Sequence, residues 1–299
     1  MTYNVWSRED VVVYTRMKAI GSLVEKHKPD VIFFQEITPY ILRIFQSFAW
    51  WKEYHCSEVK PEEQATKQHF CMMLSKIPME NPASWKFTNT STGRGFLTSH
   101  GKGSVTRGYM EADIYPGTSS PAIHIATTQL ESPSSGPPVA PPQTRSLERY
   151  AQAKHAVAAP GSARNVVLSG DMSWDDAVDM PFPLPAADGG GWVDAWTDLA
   201  VFNGFTANAS SLKKRLDRFV CKLQDYKLGG IELIGSTENL GIDYLKKRRD
   251  YCYDELHLRP SCHLGVVLTV VVTGDPPPVH GATRRKLRDS TGSTAPPSE

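Results

Sequence analysis

Eight polar residues sit where apolar runs of this chain give out. Asn4 follows "TY", Glu36 closes "DVIFFQE", and Gln129 and Glu131 close "AIHIATTQLES"; Asp171 and Ser173 close "NVVLSGDMSW", Asp217 opens "DRFVC", and His263 stands just ahead of "LGVVLTVVV". An apolar strand that ends in polar residues delivers them to the rim of a sheet. If these strands share one sandwich, the eight converge. Together they supply what cleavage of a phosphate ester needs: one carboxylate for a hard divalent cation, another to orient or deprotonate water, and an amide and an imidazolium to donate to charged oxygens. Singly, each is ordinary. An acid at a strand end is usually just solvated, Gly-Asp is common turn chemistry, and a His after Pro-Ser is usually a loop residue. Their order along the chain is what sets them apart.

The elements that must carry these residues alternate between strand and helix. "TYNVW" reads as the end of a strand, and Ser7 as a helix cap with Asp10 three residues on as a partial capping box. Val13, Met17, Ile20 and Val24 share one helical face, and Pro29 ends that helix. "DVIFFQE" reads as a buried strand; Thr38-Pro39 opens a second helix bearing Ile41, Ile44, Phe45 and Phe48. "HFCMMLS", "GYMEADIY" and "AIHIATTQLES" are further strands, the last two neighbours in one sheet. The Pro- and Ser-rich "SPSSGPPVAPPQT" is a surface loop. "RSLERYAQAKHAV" is helical, and "NVVLSGDMSW", "RLDRFVC" and "HLGVVLTVVV" complete the strands. Two strand-and-helix halves in succession fit a sandwich over residues 1–273, and 274–299 lack apolar periodicity and read as a disordered tail.

Composition narrows the classes. A chain of 299 residues with 40% hydrophobic residues can bury a sizeable core, and 33 Lys+Arg against 32 Asp+Glu argue against binding duplex by electrostatics alone. The five cysteines, Cys56, Cys71, Cys221, Cys252 and Cys262, are scattered with no Cys-x-x-Cys, which indicates neither a zinc knuckle nor a disulfide framework and points to a reducing, intracellular compartment. No apolar run approaches the ~20 residues of a membrane span. "MTYNVWSRED" lacks the layout of a signal peptide and enters a strand at once, which reads as a shortened start. "TRRKLR" near the C-terminus is a weak basic motif, more often a solvated tail.

The ordered set "YNVW … FQE … TxLES … GDMxW … RLDRF … SxHLG" resembles the endonuclease/exonuclease/phosphatase superfamily, and within it tyrosyl-DNA phosphodiesterase 2 in its plant-like form. The likeness runs over about residues 1–272 and takes in "WWKEYHCS", "FPLP", "GWVDAW" and "KKRLDRFVC". It implies a four-layer α/β sandwich of the DNase I type, two packed mixed sheets flanked by helices. It further implies Mg²⁺, or Mn²⁺, held by Glu36, with Asp171 orienting the attacking water. Asn4 and His263 then donate to the phosphate, Asp217 holds and charges His263, Arg107 contacts a DNA phosphate, and Gln129 and Ser173 lie against substrate. The implied substrate is DNA bearing a 5′-tyrosyl or peptide adduct at a single-stranded end, handled by a monomer in the nucleus. The phenolate leaving group, with a parent pKa of ~10, departs more readily than a sugar alkoxide.

Three positions depart from the family pattern. "SDH" is Ser261-Cys262-His263, "GDMNW" is Gly170-Asp171-Met172-Ser173-Trp174, and "SHLES" is Thr128-Gln129-Leu130-Glu131-Ser132; Phe205 also stands where Trp is usual. Losing one preorganised donor costs ~10²–10³ in rate. Cys262 cannot replace a carboxylate, since thiolate is a poor Mg²⁺ ligand. The sequence leaves two readings open: a phosphodiesterase of reduced activity, or an impaired member that binds DNA or protein as a scaffold.

Overall fold

The computed structural model describes residues 1–57, 69–87, 107–133, 145–185, 191–199, 214–247 and 253–273. Most of the Pro- and Ser-rich stretch, Phe205 and the tail from Gly274 lie outside the described residues.

The first half runs β1 (Thr2–Asn4), α1 (Val13–His27), β2 (Val31–Ile37), α2 (Pro39–Gln46), a 3-10 turn (Ala49–Glu53), β3 (His55–Cys56) and β4 (Phe70–Ser75). The second runs β5 (Glu80–Lys86), β6 (Gly108–Ile114), β7 (Ile123–Gln129), α3 (Ser146–Ala158), β8 (Asn165–Asp171), β9 (Trp192–Asp194), α4 (Ala195–Asp198) and β10 (Asp217–Leu223). β11 (Tyr226–Ile234) and β14 (Gly265–Val272) return to the first sheet, and β12 (Asp243–Lys247) with β13 (Tyr253–His257) forms a hairpin. The two six-stranded sheets have the orders β11-β14-β1-β2-β4-β3 and β5-β6-β7-β8-β10-β9. Each holds one parallel pair, β1 with β2 and β7 with β8, and a helix connects each pair as parallel pairing demands.

Three apolar layers make the sandwich. Tyr3, Ile32, Phe34, Met72 and Leu74 face α1 and α2; Phe33, Met73, Ile125, Val167 and Phe219 fill the space between the sheets; Ala126, Leu168 and Val220 pack under Ala153, Ala156 and Val157 of α3. Strand alternation produces this division. Phe33 meets Phe219 of the opposite sheet edge-on at 6.4 Å, while its neighbour Phe34 stacks on Phe45 of α2 at 5.0 Å. Burying each such ring is worth about 1.5–3 kcal/mol. The four-layer α/β sandwich is therefore the fold.

Thr38 caps α2, accepting the Ile41 N–H at 3.1 Å with Pro39 at the first position. The capping expectation at α1 needs correction. That helix starts at Val13 with no side-chain cap, and Ser7 instead gives both its N–H (2.9 Å) and its hydroxyl (2.8 Å) to Glu36. A half-exposed helix end can be served by water, whereas a carboxylate drawn into the sandwich rim needs protein donors.

Candidate active site

Strand register assembles the site. Asn4 lies opposite Gln35 in the first sheet, and Gln129, Asp171 and Asp217 form one row across the second, paired successively across β7, β8 and β10. Gly108 pairs with Gln129, so Arg107 enters the same rim from β6. The close β7–β8 approach depends on Gly170, whose φ is 149° and whose Cβ, if present, would sit 1.9 Å from the Thr128 carbonyl oxygen. Glu36 reaches the rim by a different device. An irregularity between Phe34 and Ile37 bulges β2 there, and Glu36 takes a left-handed φ of 62°. The bulge sends Glu36 toward the site while Gln35 stays buried among Thr2 and Thr127.

Two carboxylates sit at the centre, bridged by two amides. Asn4 Nδ2 donates to Glu36 Oε1 (3.1 Å) and Asp171 Oδ2 (2.9 Å), and Gln129 Nε2 donates to the same two oxygens, at 3.2 Å each. Ser7 occupies Glu36 Oε2, while Ser173 N–H (2.8 Å) and hydroxyl (3.2 Å) occupy Asp171 Oδ1. Burial opposes the Glu36 anion, but the His69 ring, the Ser7 N–H, His263 and the Asn4 amide outweigh it and hold the pKa down to about 2. Ser173 bends back through a left-handed φ of 48° to make its contacts. Each carboxylate thus carries four neutral donors, and Gln129 holds the longest pair. A water or cation entering between the acids displaces that amide most easily.

His263 forms the cationic side. Its Nδ1 lies 2.8 Å from Asp217 Oδ2, and its N–H donates to Ser261 Oγ (3.1 Å), which itself donates to the Asn4 carbonyl (2.7 Å). Burial works against charge on His263, yet Asp217 and then Asp171 raise its pKa well above the ordinary value, which favours the imidazolium. Cys262 is exposed and His263 buried, as opposite-facing neighbours must be. Asp171, Asp217 and His263 bring potential ligand atoms within 4.8 Å of one another, a spacing compatible with a metal ion as well as with a shared proton.

Arg107 is 9% exposed and donates through Nη2 to Ser132 Oγ (3.0 Å), which contacts Ser173 Oγ at 3.0 Å. Its Nε and Nη1 are buried without a partner among the described residues, a costly state that an entering anion relieves. Ser7, Ser132 and His69 were not anticipated. His69, at the head of β4, feels the charges of Glu36, Arg107 and Asp171, and burial above all holds its own pKa down. The family motif "LES" contains Ser132, which was the one available signal; Ser7 and His69 had none.

A divalent cation fits this donor set. Glu36 is ionised, its oxygens are hard ligands, and the Asp171 carboxylate lies across the same two amides from it.

The model of the Endonuclease/Exonuclease/phosphatase family matches residues 1–238, spanning Asn4, Glu36, Asp171 and Asp217 and ending before His263. The chain has no significant match among curated proteins. Among solved structures, D. rerio TDP2 complexed with single strand DNA product superposes with a TM-score of 0.62 at 18% identity, covering 90% of this chain and 96% of that one. Truncated Caenorhabditis elegans TDP2 gives 0.63 at 18% identity, over 91% and 95% of the two chains. The human Nocturnin catalytic domain gives 0.60 at 15% identity, over 91% and 93%. At these identities the likeness concerns the fold.

Proposed function

Since the chain belongs to the endonuclease/exonuclease/phosphatase family, we propose that it is a Mg²⁺-dependent phosphodiesterase that hydrolyses 5′-phosphotyrosyl ends of DNA. The observation that carries this reading is the buried His263 ring paired with Asp217 at 2.8 Å beside Asp171, an arrangement that favours the imidazolium. A fixed positive charge next to an acid is what an in-line attack on a phosphodiester requires: one stabilises the charged oxygens while the other orients water. Asn4 adds an amide donor, and Arg107 brings two nitrogens that have no partner among the described residues. Asp171 accepts from the incoming water once the Gln129 amide withdraws. Glu36 would hold the cation, which when bound neutralises a phosphate oxygen and assists departure of the phenolate. The choice of DNA and of the tyrosyl link leans on the motif set and on the likeness to the D. rerio protein whose structure holds single strand DNA.

The test is Mg²⁺-dependent release of tyrosine from a 5′-phosphotyrosyl single-stranded oligonucleotide, beside Glu36→Ala and Cys262→Asp. Turnover abolished in Glu36→Ala supports the phosphodiesterase. A folded wild-type chain without turnover, unrescued by Cys262→Asp, favours the scaffold reading instead. That second reading draws on the saturation of both carboxylates and on Gln129, Ser173 and Cys262.

A further inference from the structure

Arg16, the fourth residue of α1, is fully buried, and all five of its N–H donors end on backbone carbonyls. Nε donates to Val11 O (2.8 Å), Nη1 to Val5 O (2.9 Å) and Pro260 O (3.2 Å), and Nη2 to Trp6 O (3.1 Å) and Arg8 O. The Trp6 ring covers the guanidinium at 4.7 Å. Burial lowers its pKa to about 10, so it remains cationic at neutral pH.

These carbonyls belong to two segments far apart in sequence, and each delivers a site group. Residues 5–11 carry Ser7, which holds Glu36 Oε2. Pro260 precedes Ser261, whose hydroxyl joins the Asn4 carbonyl to the His263 N–H. Nη1 joins the two by its bonds to Val5 O and Pro260 O. The segment around Ser7 also has left-handed backbone at Trp6 (φ 61°) and Val12 (φ 29°), conformations that persist only when something holds them.

We propose that Arg16 is a positioning residue for the phosphate site, fixing the Glu36-holding loop and the His263 turn against each other through a carbonyl cage. This rests on the phosphodiesterase reading for its catalytic consequence, but not for its geometric one. A planar fork supplies all five carbonyls at once; an ammonium has three donors and leaves at least two of those carbonyls without a partner.

The experiment compares wild type, Arg16→Ala and Arg16→Lys well below their melting temperatures, with and without added guanidinium. One readout is kcat and KM per folded molecule on the phosphotyrosyl oligonucleotide. The other is the downfield Nδ1 proton of His263 by NMR, which reports the Asp217 contact whether or not substrate turns over. Expected are a fall in kcat of about 10²-fold in Arg16→Ala, little change in KM, loss of the His263 signal, and recovery of both by guanidinium but not by the Lys variant. A lowered melting temperature with an intact His263 signal and kcat within a factor of about three of wild type overturns the proposal. Ser7→Ala and Ser261→Ala remove the hydroxyl contacts through which the two held segments act on Glu36 and His263, with Arg16 in place, so they decide the matter if Arg16 variants do not fold: both unaffected in kcat and in the His263 signal, the proposal fails. A wild type with no turnover but the expected loss and rescue of the His263 signal would refute the activity and leave Arg16 standing.

Discussion

Asp217→Asn isolates the charge on His263 from its position. The asparagine carbonyl still accepts from Nδ1–H, so the ring keeps its tautomer and its 2.8 Å contact, while the negative charge that favours the imidazolium disappears. Burial is the largest influence on this ring and opposes charge; Asp217 is the largest influence favouring it. Without Asp217 the His263 pKa is expected to fall, because burial then acts with its chief opponent gone, and the imidazolium is disfavoured. Loss of one preorganised charged donor costs about 10²–10³ in kcat, or about 3–4 kcal/mol. The sign with pH follows from linkage. Because the folded value is raised, the charged ring stabilises the fold fully below its ordinary value near 6.5 and loses that contribution as pH climbs through the raised value, so wild type holds activity and stability into alkaline pH. The variant should lose its activity on an alkaline limb displaced to acid, and recover toward wild-type rates only on acidification. The assay is kcat/KM against pH on the phosphotyrosyl oligonucleotide, with His263 followed by NMR titration. An imidazolium persisting at pH 8 in Asp217→Asn, or an unshifted pH profile, refutes the reasoning.

Glu36→Gln should flatten the acid limb of unfolding: the wild-type carboxylate, lowered from 4.5 to about 2, contributes up to about 3 kcal/mol that is present above its ordinary value and lost as pH falls through 2. Urea midpoints from pH 5 to 2 that fall equally in both proteins would contradict this. Ser173→Asn should stabilise by about 0.5–1 kcal/mol, since Asn tolerates the left-handed φ of 48° better than Ser does, and should raise kcat by restoring a longer donor. Thermal melts and initial rates check both halves. Gly170→Ala should cost more than about 4 kcal/mol, because its methyl group meets the Thr128 carbonyl at 1.9 Å, and a cooperative melt within a few degrees of wild type would contradict that.

Much of the fold was legible from local pattern. "DVIFFQE", "NVVLSGDMSW" and "AIHIATTQLES" are apolar runs closed by polar residues, and each forms a strand carrying its polar end to the rim. Buried central strands are read easily because both faces must be apolar. The edges were not. β5 is largely exposed and contains Pro82, and β11 breaks register at its glycine pair, so neither shows clean alternation. The hairpin β12–β13 and the short β9 went unread as well.

Residue types and local pattern alone identify the available groups and the strand ends that bear them: Asn4, Glu36, Asp171, Asp217 and His263 in order. How they are held depends on the packed chain. The bulge that aims Glu36, the diversion of Ser7 from a helix end to a carboxylate, and the Gln129 amide shared between two acids depend on residues more than 25 positions apart. The charge on His263 is likewise a balance between burial and Asp217, 46 positions away. Local pattern encodes which face of an element is apolar, whereas hydrogen-bond partners and desolvation are set by whatever the chain folds alongside.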